Sequence, residues 1–148
     1  MKISAKGRYA LAATISLAES YYSGEHVSLI NISTMLGISK IYLEQIFSLL
    51  KRVELVNSVK GTKGGYQLAR HPQQITVMAI LSATELSLFE STEETVSQKA
   101  PEIDAALQSK VFEQLDKVVR KTLEEISLAD LVAEAQKSKE EKTLMYYI

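Results

Sequence analysis

Ser28-Leu29-Ile30-Asn31-Ile32-Ser33-Thr34-Met35-Leu36-Gly37-Ile38-Ser39-Lys40-Ile41-Tyr42-Leu43-Glu44-Gln45-Ile46-Phe47-Ser48-Leu49-Leu50, with Leu55-Val56-Asn57-Ser58-Val59-Lys60-Gly61-Thr62-Lys63-Gly64-Gly65-Tyr66-Gln67-Leu68-Ala69 close behind it, decides the fold. Ser28 and Ser39 are residues of the kind that cap helix N-termini, and Gly37 is of the kind that closes a helix in the left-handed conformation. The first piece therefore reads as a short helix running from the Ser28 cap through Ile32 and Met35 to a stop at Gly37. In the helix that starts after Ser39, Leu43, Ile46, Phe47 and Leu50 fall at i, i+3, i+4 and i+7 and form one apolar stripe, while Ile41, Glu44, Gln45, Ser48 and Arg52 occupy the opposite face. Two helices joined by a turn this tight make a helix-turn-helix, whose second member presents its polar face to a major groove. Leu55 to Val59 and Tyr66 to Ala69 then alternate as two short strands around a basic, glycine-rich tip. Three glycines let the tip adopt positive φ and bring its backbone close to a phosphate, and Lys60 and Lys63 supply the charge. A helix-turn-helix followed by such a hairpin is a winged helix: mainly α, with a small β-hairpin wing.

Outward from this centre, Ser4 to Tyr22 is apolar on two adjoining faces, as a helix buried against more than one neighbour is, and Ser23-Gly24 ends it. Thr76 caps a fourth helix through Ile80 and Ala83, and Leu86 to Ala100 is rich in Ser, Thr and Glu and reads as loop. From Pro101 an apolar stripe of Ile103, Leu107, Val111, Leu115, Val118 and Thr122, broadened by Phe112, Val119 and Leu123, predicts a helix approaching 25 residues. So long a helix has little of its own chain to pack on, so Ile103, Leu107, Val111, Leu115 and Val118 are expected to meet the same helix of a second subunit, packing on the N-terminal helix being the alternative. Ser127-Leu128-Ala129-Asp130 reads as a cap with its acid at the third helical position, opening a short helix through Leu131 and Ala135. Lys137 to Lys142 reads as a mobile charged tether to an apolar end, Leu144-Met145-Tyr146-Tyr147-Ile148. The expected division is residues 1–84 as the DNA-binding domain, 85–100 as loop, 101–136 as dimerisation helix and short C-terminal helix, and 137–148 as flexible tail.

Composition narrows the function. The 148 residues hold no cysteine, which excludes disulfides, thiolate nucleophiles and cysteine-held zinc or iron–sulfur clusters. His26 and His71 stand apart beside turn signals and read as surface histidines, so no metal or other cofactor is expected. No apolar run is long enough for a bilayer and none resembles a cleavable signal, so the chain is expected in the cytoplasm, away from membranes. Residues 1–72 carry nine Lys and Arg against four Glu, and residues 73–148 carry eight against fourteen Asp and Glu. A basic half followed by an acidic one suggests a polyanionic partner for the first. The glycines at the wing sit between strands and lack the GxxxxGK[ST] spacing of a nucleotide loop, and no catalytic constellation stands out, so an enzyme is not expected.

Met1-Lys2-Ile3-Ser4-Ala5-Lys6-Gly7-Arg8-Tyr9-Ala10, the Gly37-Ile38-Ser39 turn, Tyr42-Leu43-Glu44-Gln45 and Gly64-Gly65-Tyr66 resemble the Rrf2 family of bacterial regulators over nearly the whole chain. The resemblance implies a winged-helix homodimer that represses transcription from a palindromic operator in double-stranded DNA. Cluster-bearing members place three cysteines in the segment corresponding here to Leu86 to Ala100, and cluster sensing is not carried over to a chain that has none. The lack of cysteine and the closing Met145-Tyr146-Tyr147-Ile148 look more like the CymR branch, repressors of cysteine metabolism that act with cysteine synthase. In that comparison the Ile148 carboxylate enters the synthase active site and Tyr147 packs at its entrance; the alternative is that the tail packs on its own dimer.

Within a winged helix, Glu44 is placed to accept from a cytosine amino group, Gln45 to pair with adenine and Ile41 to touch a thymine methyl. Ser39, Lys40, Tyr42, Lys6 and Arg8 are placed for phosphate contacts, and the wing tip of Lys60, Thr62, Lys63 and Gly64 for the minor groove or its edge. Family members often carry Arg where this chain has Lys60, and a lysine lacks the bidentate fork that reads bases. The alternative to control of cysteine metabolism is a family regulator of another stress or metabolic regulon without a metal cluster; the rival to DNA binding itself is an interaction scaffold using the same fold, against which the basic wing speaks.

Overall fold

The structure, a computed structural model, describes residues 2–62, 64–90 and 95–147. Its helices are α1 (Ala5–Glu19), α2 (Leu29–Leu36), α3 (Lys40–Arg52), α4 (Val77–Thr84), α5 (Pro101–Leu107), α6 (Glu113–Glu125) and α7 (Leu128–Tyr147), with strands β1 (Val56–Val59) and β2 (Gly65–Leu68) between α3 and α4. The local signals account for most boundaries. Ser28, Ser39 and Thr76 each accept a hydrogen bond from the amide three residues on, and Gly37 ends α2 at φ 68°. Ser127 and Asp130 close a reciprocal capping box, the Asp130 amide donating to Ser127 Oγ at 3.1 Å and the Ser127 amide to Asp130 Oδ2 at 2.9 Å. The first helix stops at Glu19, with Ser20 as its C-cap, so the expected extension to Tyr22 is a run of turn that closes at Gly24.

The winged-helix expectation holds, with two additions that the sequence did not announce. β1 and β2 pair antiparallel in the register Val56↔Leu68 to Val59↔Gly65, one residue off the expected strands at each outer end. Val27 joins β2 on its far side, the Val27 and Tyr66 amides each donating to the other's carbonyl at 2.9 Å. A Cβ on Gly65 would collide with the Val27 carbonyl, and one on Gly64 with the carbonyl of Val59. Of the three tip glycines only Gly61 has a positive φ; the other two are needed because backbone passes close by, a correction to the expectation that all three serve conformational freedom.

The core forms where α1, α3, α4 and the root of the wing meet, with Leu17, Leu43, Ile46, Phe47, Leu50, Leu55 and Ile80 buried. Leu128 belongs to the same cluster at 0% exposure, and Leu131 and Val132 pack against it. The chain at Ile126–Leu128 runs beside Ile75–Val77, the Val77 amide donating to Ile126 and the Leu128 amide to Ile75, both at 2.9 Å. Residues 1–84 are therefore not self-contained: the start of α7 completes their core.

A second correction concerns the expected tail. Lys137 to Lys142, expected as a mobile charged tether within a flexible tail 137–148, continues α7 as helix, which runs on to Tyr147. Lys, Glu and Gln are strong helix formers, so a charged run with no Gly or Pro propagates a helix nucleated by a good cap instead of ending it. Between α5 and α6 the helix widens into a π turn at Gln108–Phe112. Ile103, Leu107, Val111 and Leu115 follow one another at spacings of four, which drift about 40° per step around an ordinary helix; the wider turn takes up that drift and keeps them on one side.

Glu54, just beyond α3, has φ 59°, the left-handed region that favours glycine. Glu54→Gly is expected to raise stability by about 0.5–1 kcal/mol in urea unfolding, the relief of the side-chain penalty outweighing the added chain entropy. A lowered midpoint would contradict it.

Candidate nucleic-acid interface

The apolar stripe of α3 fixes what its other face offers. With Leu43, Ile46, Phe47 and Leu50 fully buried, Ile41, Glu44, Gln45 and Ser48 are turned outward, Ile41 at 72% exposure. Lys40 Nζ lies 3.9 Å from Glu44 Oε1, both side chains half exposed. A pair of this kind on a helix surface contributes about 0.3–0.5 kcal/mol, so both partners exchange it readily for contacts to a ligand. Ser39 is exposed and its oxygen already accepts from the Tyr42 amide at 3.1 Å, leaving its hydrogen for an outside acceptor. The Tyr42 ring meets Tyr9 edge to face at 6.0 Å, which ties the start of α3 to α1.

The wing is held against this helix by its root. Tyr66 lies over Phe47 with centroids 4.4 Å apart, and Lys51 Nζ donates to Ser58 Oγ at 2.8 Å. Burial pushes the Tyr66 hydroxyl up from its ordinary value, and the Glu44 carboxylate adds to the rise. A tyrosine raised in the fold keeps its proton to higher pH than in the unfolded chain. Its stabilising contribution is thus complete below the ordinary value of 10.0 and is lost as pH climbs through the raised one. Tyr66→Phe is expected to flatten the loss of urea stability that sets in above pH 10.0, and Glu44→Gln to bring the Tyr66 titration part of the way back when followed by tyrosine absorbance. An unchanged titration in Glu44→Gln would separate the two residues.

Lys60, Gly61 and Thr62 at the tip are exposed and Gly64 is half-buried; Lys63 lies outside the described residues. On α1, Arg8 is exposed and Lys6 half-buried, one turn beyond the Ser4 cap. The start of α1 is fastened by a contact that no local signal announces: the Ser4 amide and hydroxyl both donate to Glu85 Oε2, at 3.0 and 2.6 Å, across 81 residues. Gly7 sits buried against the same carboxylate, where a Cβ would also strike Ile3. Lys6 and Arg8 therefore ride on a helix end whose position depends on Glu85.

The two other groups of expected contacts lie elsewhere. Along α5 and α6, Ile103, Val111, Leu115 and Val118 are 41–63% exposed and Leu107 is half-buried, while Val119 and Leu123 are half-buried on the helix that packs against α4. Tyr146 and Tyr147 are 89% and 85% exposed at the end of α7, so this end does not fold back on its own chain; Ile148 lies outside the described residues. His26 is exposed, whereas His71 is a structural residue: its Nδ1 accepts from the Gln73 amide at 3.1 Å, and its ring packs edge to face against Tyr21 and Tyr22. No helix among the described residues is long and apolar enough to cross a membrane.

Residues 3–134 match the protein family described as Rrf2, iron-dependent transcriptional regulator. The transcriptional regulator IscR of Sodalis glossinidius is 38% identical over 134 residues, covering 90% of this chain and 79% of that one. IscR of Cereibacter sphaeroides is 49% identical over 86 residues, 57% of this chain and 56% of its own length. Among solved structures, T. potens IscR superposes with a TM-score of 0.73 at 33% identity, covering 93% of this chain and 90% of that one. CymR of B. subtilis, named as a global cysteine regulator, also gives 0.73, at 31% identity, covering 90% and 98%. The family description carries iron, but the chain has no cysteine and, among the described residues, no group of three or more His, Asp or Glu that would hold a metal ion. The donors among the described residues do not fit an iron site.

Proposed function

The chain belongs to the Rrf2 family of transcriptional regulators, whose members are not enzymes, and from that premise we propose that it is a sequence-specific DNA-binding repressor acting as a cytoplasmic homodimer. The observation that carries the reading is the division of α3: one face supplies four fully buried core residues, and the other offers Ile41, Glu44 and Gln45 to a groove beside a basic wing. The apolar side of α5 and α6 supports the dimer, because so many large apolar residues along one helix are covered in a stable protein, and a two-fold partner covers them with the same residues.

The test is binding of the full chain to duplex DNA over a range of salt. Lys60→Ala is expected to weaken binding alike on all sequences and to flatten the salt slope by about one unit. A slope unchanged by the substitution removes the wing from the phosphate contacts.

A narrower reading, control of cysteine metabolism through a complex with cysteine synthase, is favoured by the CymR likeness, the lack of cysteine and the two exposed tyrosines that end α7. In that reading Ile148 enters the synthase active site with Tyr147 at its mouth. Capture of cysteine synthase by the full chain, lost on deleting Tyr147 and Ile148, is the expected result; equal capture by both forms removes the tail, and no capture by either removes this reading.

A further inference from the structure

The Glu85 carboxylate that fastens α1 also faces a cavity of about 550 Å³ between the N-terminal arm, the turn after α4, and α6. Leu88, Phe89, Leu115 and Val119 give it an apolar wall. The guanidinium of Arg120 lies 3.9 Å over the Phe89 ring and 4.0 Å from Asp116, which pins that wall to α6. The charged residues that line the cavity are Lys2, Glu85 and Asp116, so it offers both signs beside the apolar surface. Its size suits a small molecule.

We infer that this cavity binds a small zwitterion with an apolar arm, such as a free aliphatic amino acid, whose ammonium faces Asp116 and Glu85 and whose carboxylate faces Lys2. An anion alone would meet two carboxylates and a cation alone the ammonium of Lys2; the zwitterion matches each charge and lays its side chain on Leu88 and Phe89. Glu85 links the site to DNA. Only its Oε2 is engaged by Ser4, and an ammonium drawing the carboxylate into the cavity competes with that clasp and loosens the end of α1 that bears Lys6 and Arg8. Ligand therefore lowers DNA affinity, and DNA lowers ligand affinity by the same factor. This last consequence alone rests on the DNA-binding reading.

The experiment is calorimetric titration of the full chain, without DNA, using L-leucine, 4-methylpentanoate, L-leucine methyl ester and glycine, which lack in turn nothing, the ammonium, the carboxylate charge and the apolar arm. Saturable binding of leucine at one site per chain is expected, about tenfold or more tighter than each of the other three, and weakened as much by Asp116→Asn and by Lys2→Met. Both side chains are exposed enough for the variants to fold, which circular dichroism checks, and Glu141→Gln, far along α7, is expected to leave binding unchanged. No saturable heat at millimolar leucine, equal binding of the comparators, or binding that survives both variants overturns the site. Leucine that binds as expected but leaves DNA affinity unaltered overturns the coupling through Glu85.

Discussion

Leu128→Ala is expected to lower the stability of the whole chain by about 2–5 kcal/mol, the range for truncating a large aliphatic side chain in a closed core. Leu128 has no exposed surface, and it lies in the cluster that contains Phe47 and Ile80, contributed from a part of the sequence that leads into a different helix system. Its amide is bonded to Ile75, so the site has little freedom to collapse around the lost methyl groups. Urea unfolding followed by far-UV circular dichroism checks this: the midpoint falls while the slope stays constant. The α1–α4 unit and α7 are then lost in one transition. A change below about 1 kcal/mol, or α7 melting separately, would show that the winged helix stands without it.

Glu44→Ala is expected to cost about 1–3 kcal/mol at the matched operator and to relax base preference at one position in each half-site. Glu44 is exposed, and its neighbour Lys40 is tied to it only weakly, so the loss appears in specificity with little change in stability. Binding measured on operators varied one base at a time gives the answer. Unchanged discrimination at every position would remove Glu44 from base reading.

The parts of this molecule that were legible in the sequence are those specified by neighbours in the chain. Ser28, Gly37 and Ser39 fix the helix-turn-helix because caps and left-handed stops act over three or four residues, and the Leu43, Ile46, Phe47, Leu50 stripe tells which face of α3 is left over. What was not legible is specified at a distance. Val27 adds to the wing through a single bridge to Tyr66, too short for any alternating pattern. Ser4 reads as an ordinary cap, and nothing near it announces Glu85. Gly64 and Gly65 are glycines because other backbone passes close to them, a reason visible only once the hairpin has closed. The end of α7 departs from expectation for a local reason: its charge suggests mobility, whereas the same Lys and Glu residues are good helix formers once the Ser127–Asp130 box has started the helix.

The most direct measurement is selection of bound sequences from a random duplex library by the full chain, sequenced after several rounds. The expected result is a palindromic motif whose half-sites lie about one helical turn, or a multiple of it, apart, and which degenerates at one position per half-site in Glu44→Ala. A library that returns unenriched, whether the chain binds all duplexes alike or none, would contradict the reading of α3 as a recognition helix.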